Sequence, residues 1–424
     1  MSSALVSGSR TPLLPDIYNP HKHRTTPTSK SSPEWMKENP VHPAAEKTQI
    51  PTEFTEPLRQ SVCVALLREG FPRSFAQMFS LLQRWDAADP HELHTLQQRL
   101  TSAETAERHG QYGEAYDNHM FLARFFTEPE DKWLKHHFIQ LALHSARKFK
   151  MDSGKREAEA NLHMGQVYLE KGQLERAQEH YEVFYHLTMG RTWQDPSGRM
   201  HHSRSCEELQ KLFTLLGQRL LQEQDYTHAI KMFNKAYQMA KESEDRGSEG
   251  EAAYRLGLAY QSTGDQKTAK QFFSVCMEIS TILENADSLG RAYEAIAKSL
   301  ESEGKLTEAT EYLEKFAEIS LSSKQDRNLE KACMCLGNIL SLRKRYDGAH
   351  EHFGRAYEIA CNLASVVRLQ KARVCAGSAR ALSMMQTYHR LIETPGRQNI
   401  KRIISWKKRR HDSLSAPLEE EMKR

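Results

Sequence analysis

The chain has 424 residues, of which 39% are hydrophobic and 27% are charged, and its mean hydropathy is −0.69. Its 59 basic and 55 acidic residues leave a formal net charge of +4, a balance that argues against a dedicated nucleic-acid-binding protein. No apolar run approaches the roughly 20 residues that a helix needs to cross a bilayer, so no transmembrane segment is predicted. The composition is polar for a globular enzyme and typical of an elongated array of repeats.

Residues 1–55 are rich in Pro, Ser, Thr, Lys and His. Such a segment cannot bury enough apolar surface to offset the entropy of an ordered chain. The sequence therefore predicts a disordered N-terminal tail over residues 1–55.

The seven cysteines are scattered and form no Cys-x-x-Cys pair, and no signal-peptide pattern precedes them. Reduced thiols in a cytoplasmic protein are the expectation for this pattern. His136–His137 and His201–His202 are interpreted as non-ligands, because no acidic or cysteine companion was recognised beside them. No metal and no cofactor is predicted.

From about residue 58 to residue 393, apolar side chains recur at spacings of three and four, as in Val62, Ala65 and Leu66. Alternating runs of β-branched residues are missing, so strands are not expected. The pattern predicts an all-α protein with a divergent helical cap over residues 56–150 and a repeat array over residues 151–395.

The array is recognised by small residues at a fixed spacing of 40. These anchors are Gly217, Gly257, Ala297 and Gly337, with Ala376–Gly377 one step further and Gly165 in an earlier unit. Gly165 precedes Gly217 by 52 positions, so that unit carries about 12 extra residues, assigned to a loop around 193–198. Twelve positions after the anchors stand Ala177, Ala229, Ala269, Ala309 and Ala349. Small residues at both positions let two helices approach closely, and large apolar residues sixteen positions on fill the space between them.

Gly172, Gly264 and Gly304 fall between the two helices of their units. Glycine adopts a left-handed backbone at no steric cost, so these positions are predicted to end the first helix of each pair.

The pattern resembles the tetratricopeptide repeat family, which has small residues at its eighth and twentieth positions, leucine at its seventh and aromatics at its eleventh and twenty-fourth. The resemblance covers residues 155–385 and implies a right-handed α-solenoid that binds proteins and has no enzymatic activity. The period is 40 rather than 34 and the closing proline is missing, and this longer period resembles the Leu-Gly-Asn repeats that Leu336–Gly337–Asn338 spells out.

As a whole, the chain is similar to axonemal members of this family. The similarity rests on the unstructured start, the divergent cap, the 40-residue units and the basic C-terminal segment. It implies a protein of the cytoskeleton in cilia and the sperm flagellum, working beside dynein machinery and needed for assembly or beating.

In such an array the first helix of each unit lines the concave groove, and the register gives its inward-facing residues. The last units contribute four cations and an amide there: Arg291, Lys298, Lys331, Lys371 and Asn338. We interpret this set as a cleft for an acidic segment of a partner protein. Ordinary solvated charges are the alternative, and Glu294 and Glu301 partly neutralise the wall.

The C-terminal segment over residues 396–424 is first basic and then acidic. Its cations include Lys407, Lys408, Arg409 and Arg410, with apolar residues at helical spacing before them. Contact with acidic tubulin tails or a membrane, a nuclear-import signal, and a solvated basic end all remain open for this segment.

One alternative function remains open, and an enzyme is not expected. A cytoplasmic adaptor that binds acidic peptide segments in cargo transport or cell polarity would use the same groove. An enzyme would need a clustered nucleophile, metal site or phosphate loop, and no such motif is recognisable. No small-molecule substrate is therefore expected.

Overall fold

The computed structural model describes residues 52–85, 89–394 and 396–409. These ranges contain seventeen α-helices and one short 3₁₀ helix, and their only β-type pairing is an isolated bridge between Gln194 and Met200. The predicted all-α fold class is confirmed. Residues 1–51 of the predicted tail, together with Arg410 and the acidic end, lie outside the described residues. Residues 52–55, predicted to be disordered, belong instead to the first helix.

The N-terminal helices occupy the region predicted as a divergent cap. They are α1 (Thr52–Arg68), α2 (Pro72–Leu82), α3 (Pro90–Arg108), α4 (Tyr112–Phe125) and α5 (Lys132–Lys148), with the 3₁₀ helix at Pro129–Asp131. Phe126 joins this core, because its ring stacks on Phe138 at 5.9 Å and meets Trp85 edge-on at 5.3 Å. Between α2 and α3, the buried Glu104 carboxylate accepts hydrogen bonds from the backbone N–H and hydroxyl of Ser74, each 2.7 Å long.

Helix pairs follow in unbroken order. They are α6 (Lys155–Glu170) with α7 (Leu174–Thr188), α8 (His201–Gln222) with α9 (Tyr226–Glu242), α10 (Arg246–Ser262) with α11 (Gln266–Ile282), α12 (Ala286–Ser302) with α13 (Leu306–Ser322), and α14 (Asp326–Leu342) with α15 (Tyr346–Asn362). The predicted insertion is the connection 189–200 between α7 and α8. It is ordered by Asp195, which accepts hydrogen bonds from the backbone N–H groups of Ser197 and Arg199 at 2.8 and 3.0 Å.

The fixed period comes from equal helices and equal turns. Each helix from α9 to α15 has 17 residues, and three residues separate it from the next. A left-handed residue therefore recurs every twenty positions: Gln224, Glu244, Gly264, Glu284, Gly304, Lys324, Lys344 and Ala364. In these turns the next N–H closes back on a helix carbonyl, as from Asp265 to Tyr260 at 3.1 Å, which is the hydrogen bond of a Schellman cap. The predicted left-handed glycines are present, and six non-glycine residues share their role.

The helix pairs are joined where the anchor of the first helix meets a large apolar side chain of the second, which is an aromatic ring at each glycine anchor of α6, α8, α10 and α14. A Cβ atom added to Gly217 would lie 2.8 Å from the ring of Phe233, and one added to Gly257 would lie 2.6 Å from that of Phe273. Gly165 faces Tyr181 in the same way, and Ala297 shares a buried cluster with Leu313. The alanines twelve positions after the anchors are fully buried: Ala177, Ala229, Ala269, Ala309 and Ala349. These contacts have the steric form that the small residues predict.

The last helices of the array do not form a pair like those before them. Helix α16 (Val366–Glu393) has 28 residues and packs on α15, whereas the short α17 (Arg397–Arg409) contacts it only slightly. A Cβ atom added to Gly377 would have no neighbour within 4 Å, so among the described residues no second helix closes on this anchor. Along the described ranges, no helix combines the length and the apolar character that a membrane crossing requires.

Candidate partner-binding surface

The first helices α12, α14 and α16 carry the predicted groove residues, and α10 lies beside them. The structure pairs three of the predicted cations with acids. Arg291 on α12 contacts Glu251 on α10 at 3.0 Å and Asp287 on its own helix at 3.4 Å. Its guanidinium also lies 5.0 Å from the centre of the Tyr254 ring, which adds a cation–π contact.

Glu294 is the central acid of this surface. Its residue is only 4% exposed, and its carboxylate receives Lys298 from the same helix at 2.7 Å and Lys331 from α14 at 2.6 Å. Burial acts to raise the pKa of Glu294, but the two lysine hydrogen bonds outweigh it and hold that pKa below its ordinary value. The carboxylate is therefore ionised at neutral pH and compensates both lysines.

A third ion pair connects α14 to α16, where Arg368 contacts the buried Glu330 at 3.0 Å. We call the three inter-unit pairs Glu251–Arg291, Glu294–Lys331 and Glu330–Arg368 the ion-pair ladder. Each pair joins an acid of one unit to a base of the next, so the ladder fastens neighbouring units together. A neutral hydrogen bond runs beside it, from Gln261 to the hydroxyl of Ser299 at 2.9 Å.

The predicted basic wall thus has mixed charge. Arg291, Lys298 and Lys331 face carboxylates, whereas Lys371 and Asn338 are exposed on α16 and α14. Sequence reasoning noticed Glu294 but missed the pairing of Glu330 with Arg368. The sequence does contain a pattern that indicates these ion pairs. In each pair the base follows the acid by 37 to 40 positions, which is close to the length of one repeat. Binding of an acidic segment at this wall remains a prediction.

A second concave feature lies between α4, α5 and α6 and was not foreseen from the sequence. It is a cleft of about 440 Å³ lined by Arg124, Lys132 and Lys135 on one side and by His163 and Glu170 on α6. Glu170 lies 3.9 Å from Lys135, so cations outnumber the acid here. This cleft offers hydrogen-bond donors to a carboxylate group.

The basic C-terminal segment begins as helix α17. Lys407 and Lys408 are exposed at its end, and Ile400 and Ile404 expose about half of their surface, 51% and 49%. The backbone of Arg409 closes the helix, whereas its side chain and Arg410 lie outside the described residues. The helix therefore offers both charge and apolar surface.

The interpretation of His202 as a histidine without companions is wrong. Cys206 follows it by one turn of α8, and its Sγ lies 3.9 Å from Nε2 of His202. Glu242, at the end of α9, brings a carboxylate oxygen to the same place. The spacing of His202 and Cys206 was visible in the sequence, but the approach of Glu242 depends on the pairing of α8 with α9.

Family models agree with the helix pairs. One described as tetratricopeptide repeat matches residues 209–282, and another with the same description matches residues 158–182 and 290–322. Tetratricopeptide repeat protein 29 of Rattus norvegicus is 44% identical over 225 residues, which are 49% of this chain and 48% of that protein. The Homo sapiens protein of the same name is 39% identical over 243 residues, 53% of this chain and 51% of that protein.

The chain thus spans about half the length of the curated relatives that it matches. The solved structure of BtubC (BKLC) from P. vanneervenii aligns with a TM-score of 0.39 at 13% identity, covering 55% of this chain and 92% of that one. The anchors, the helix pairs and the family models agree: this chain contains an array of tetratricopeptide repeats and is similar over about half of its length to tetratricopeptide repeat protein 29.

Proposed function

We propose that this repeat protein is a scaffold of the ciliary and flagellar axoneme, where it supports assembly and beating beside dynein machinery. Tetratricopeptide repeats support the general role of a protein-interaction scaffold. The axonemal setting follows from the resemblance to axonemal members of the family. The observation that carries the scaffold role is the array of helix pairs, which presents exposed polar positions such as Asn338 and Lys371 along successive first helices.

The setting is tested by tagging the protein at its own locus in ciliated cells. An axonemal scaffold should remain on the axoneme after the membrane and soluble proteins are removed with detergent. A signal that is extracted completely with the cytosol would overturn the axonemal proposal and favour a cytoplasmic adaptor for cargo transport or polarity.

Partner binding at the first helices calls for variants that leave the ion-pair ladder intact. Reversing Lys298 or Lys331 would expose the buried Glu294 to repulsion, and a loss of partners would then only report damage to the array. Lys371→Glu combined with Asn338→Asp changes exposed residues instead. Proximity labelling with this variant should lose partners that carry acidic segments.

The matched control is Lys267→Glu with Asn362→Asp, which makes the same charge change at exposed residues of the second helices α11 and α15. It should keep the partners of the wild type. If both variants keep every partner, the exposed residues of α14 and α16 are not the binding surface. The second helices or the cleft between α4 and α6 would then be the better candidates.

Helix α17 is proposed to contact the acidic tails of tubulin. Its exposed Lys407 and Lys408 provide the attraction, which salt should weaken because the charges are exposed. Lys407→Glu with Lys408→Glu should abolish co-sedimentation with microtubules at low salt, whereas the equal charge change Lys267→Glu with Lys324→Glu should not. Unchanged binding to microtubules stripped of their tails would contradict this role.

A further inference from the structure

Three side chains of different chemistry converge where α8 begins and α9 ends. His202 and Cys206 lie one turn apart on α8, and Glu242 is the last residue of α9. One ligand atom of each lies within 4.8 Å of the others. The set combines an imidazole nitrogen, a thiol sulfur and a carboxylate oxygen, which are the ligand types that zinc accepts.

The distances suit one shared ion. With Zn–S of about 2.3 Å and Zn–N of about 2.0 Å, a tetrahedral angle places the two ligand atoms about 3.5 Å apart. Nε2 of His202 and Sγ of Cys206 are 3.9 Å apart. A rotation of the imidazole that moves its nitrogen by a few tenths of an ångström would therefore bring these two ligand atoms to that separation, and the carboxylate of Glu242 lies within 4.8 Å of both.

Tyr185 on α7 holds two of the three side chains in place. Its hydroxyl donates a hydrogen bond to the carboxylate of Glu242 at 2.7 Å, and its ring lies against that of His202 with centroids 5.3 Å apart. Groups that orient metal ligands from behind typically strengthen metal binding. The arrangement is therefore supported from a third helix.

The thiol and the carboxylate reach this place from different surroundings. Cys206 is fully buried, whereas Glu242 comes from an exposed position at the end of α9. Cys276, an equally buried thiol on α11, has the hydroxyl of Ser280 beside it at 3.8 Å and, among the described residues, belongs to no such cluster. The two thiols form a natural pair for comparison.

We propose that His202, Cys206 and Glu242 bind one zinc ion, with the fourth position taken by water. On binding, the thiol of Cys206 gives its proton to the solvent and its sulfur coordinates the metal as a thiolate. The ion ties the start of α8 to the end of α9, next to the long connection 189–200. It would stabilise the pair of α8 and α9, which directly follows this long connection.

Cobalt is the probe, because Co²⁺ occupies zinc sites and a tetrahedral thiolate complex absorbs both in the near ultraviolet and in the visible. The titration uses the full chain with the exposed Cys361 replaced by serine and metals removed by chelation. We expect one equivalent of Co²⁺ to produce both sets of bands and an equivalent of Zn²⁺ to remove them.

Cys206→Ser should lose the near-ultraviolet band, and Glu242→Gln, at an exposed position, should weaken Co²⁺ binding at least tenfold without loss of helicity. Cys276→Ser should behave like the parent protein. The proposal fails if no tetrahedral bands appear, or if the near-ultraviolet band persists in Cys206→Ser. Circular dichroism of each metal-free variant separates lost ligation from lost folding, and a misfolded Cys206→Ser leaves Glu242→Gln to decide.

Discussion

Helices α14 and α16 both carry an anchor glycine, but within the described part of the chain only α14 is followed by a second helix that packs on that glycine. A Cβ atom on Gly337 would lie 2.5 Å from the ring of Phe353, whereas Gly377, forty positions later, faces open space. Sixteen positions after Gly377 stands Glu393, still within α16. The anchor glycine therefore identifies a first helix, but a large apolar residue on a following second helix is needed to complete the unit.

The difference leaves α16 with an apolar side that nothing covers among the described residues. Val367 and Val374 are 77% and 64% exposed, and Met385 is 59% exposed. In the interior units the equivalent helix packs on its own second helix and on the second helix of the preceding unit. Substitutions at the enclosed anchor Gly337 and at the open anchor Gly377 should therefore have different effects on stability.

The largest effect is expected from filling the anchors. Gly337→Val must displace the buried ring of Phe353 and should lower the free energy of unfolding by about 2–3 kcal/mol. Gly377→Val meets no neighbour and should change it by less than about 0.5 kcal/mol, because valine is a slightly better helix former than glycine. Urea unfolding followed by far-ultraviolet circular dichroism measures both, and equal losses would contradict the contrast.

A smaller effect is expected where the ion-pair ladder is cut. Glu294→Gln leaves two lysines without their shared carboxylate and should cost about 1–2 kcal/mol at neutral pH. Glu330→Gln removes the single pair with Arg368, which is 41% exposed, and should cost less. Thermal unfolding of the two variants ranks the interior against the end of the array, and the reverse order would refute the ranking.

Acid should affect the ladder in a defined direction. The pKa of Glu294 is lowered in the folded protein from an ordinary value of 4.5. Its contribution is therefore present above that ordinary pKa and is lost as the pH falls through the folded pKa. The unfolding midpoint of the wild type should fall more steeply below about pH 4.5 than that of Glu294→Gln, and parallel curves would show that Glu294 contributes nothing to the pH dependence.

The smallest change in stability is expected from the turns between helices. It should be the same in the interior of the array and just before α16. Glu284 and Ala364 both hold a left-handed backbone, with φ of 52° and 50°. Glu284→Gly and Ala364→Gly should each raise the free energy of unfolding by about 0.5–1 kcal/mol, since glycine avoids the steric cost of that conformation. A gain at Glu284 only would mean that the final turn is loose.

Much of this architecture follows from the sequence because it is local or periodic. Helical spacing, the anchor period and the left-handed glycine at 264 need only the chain itself, and the long connection before α8 follows from the gap after Gly165. Gly377 misled the prediction of a further unit, although His389 and Glu393 stand where the alanine and the aromatic residue belong.

The partners of charged side chains and of candidate metal ligands are harder to predict from the sequence. The pairing of Glu330 with Arg368 and the approach of Glu242 to Cys206 require two helices to pack at a known rotation. Residues of the predicted wall were recognised by register, but the register does not say which neighbour each charge meets. Packing angles, which the sequence does not specify, decide that question.

The equal lengths of helix and turn have a further consequence for how this array tolerates rearrangement. With 17 residues in each helix from α9 to α15 and three in each connection, a block such as 246–285 can be excised or duplicated and the flanking chain rejoins in phase. A block shorter by one residue, with the deletion inside a helix, would rotate the part of that helix after the deletion by about 100° and turn its side chains away from the neighbours they pack on. The fold should therefore tolerate a change in the number of 40-residue units but not a change in the length of a unit.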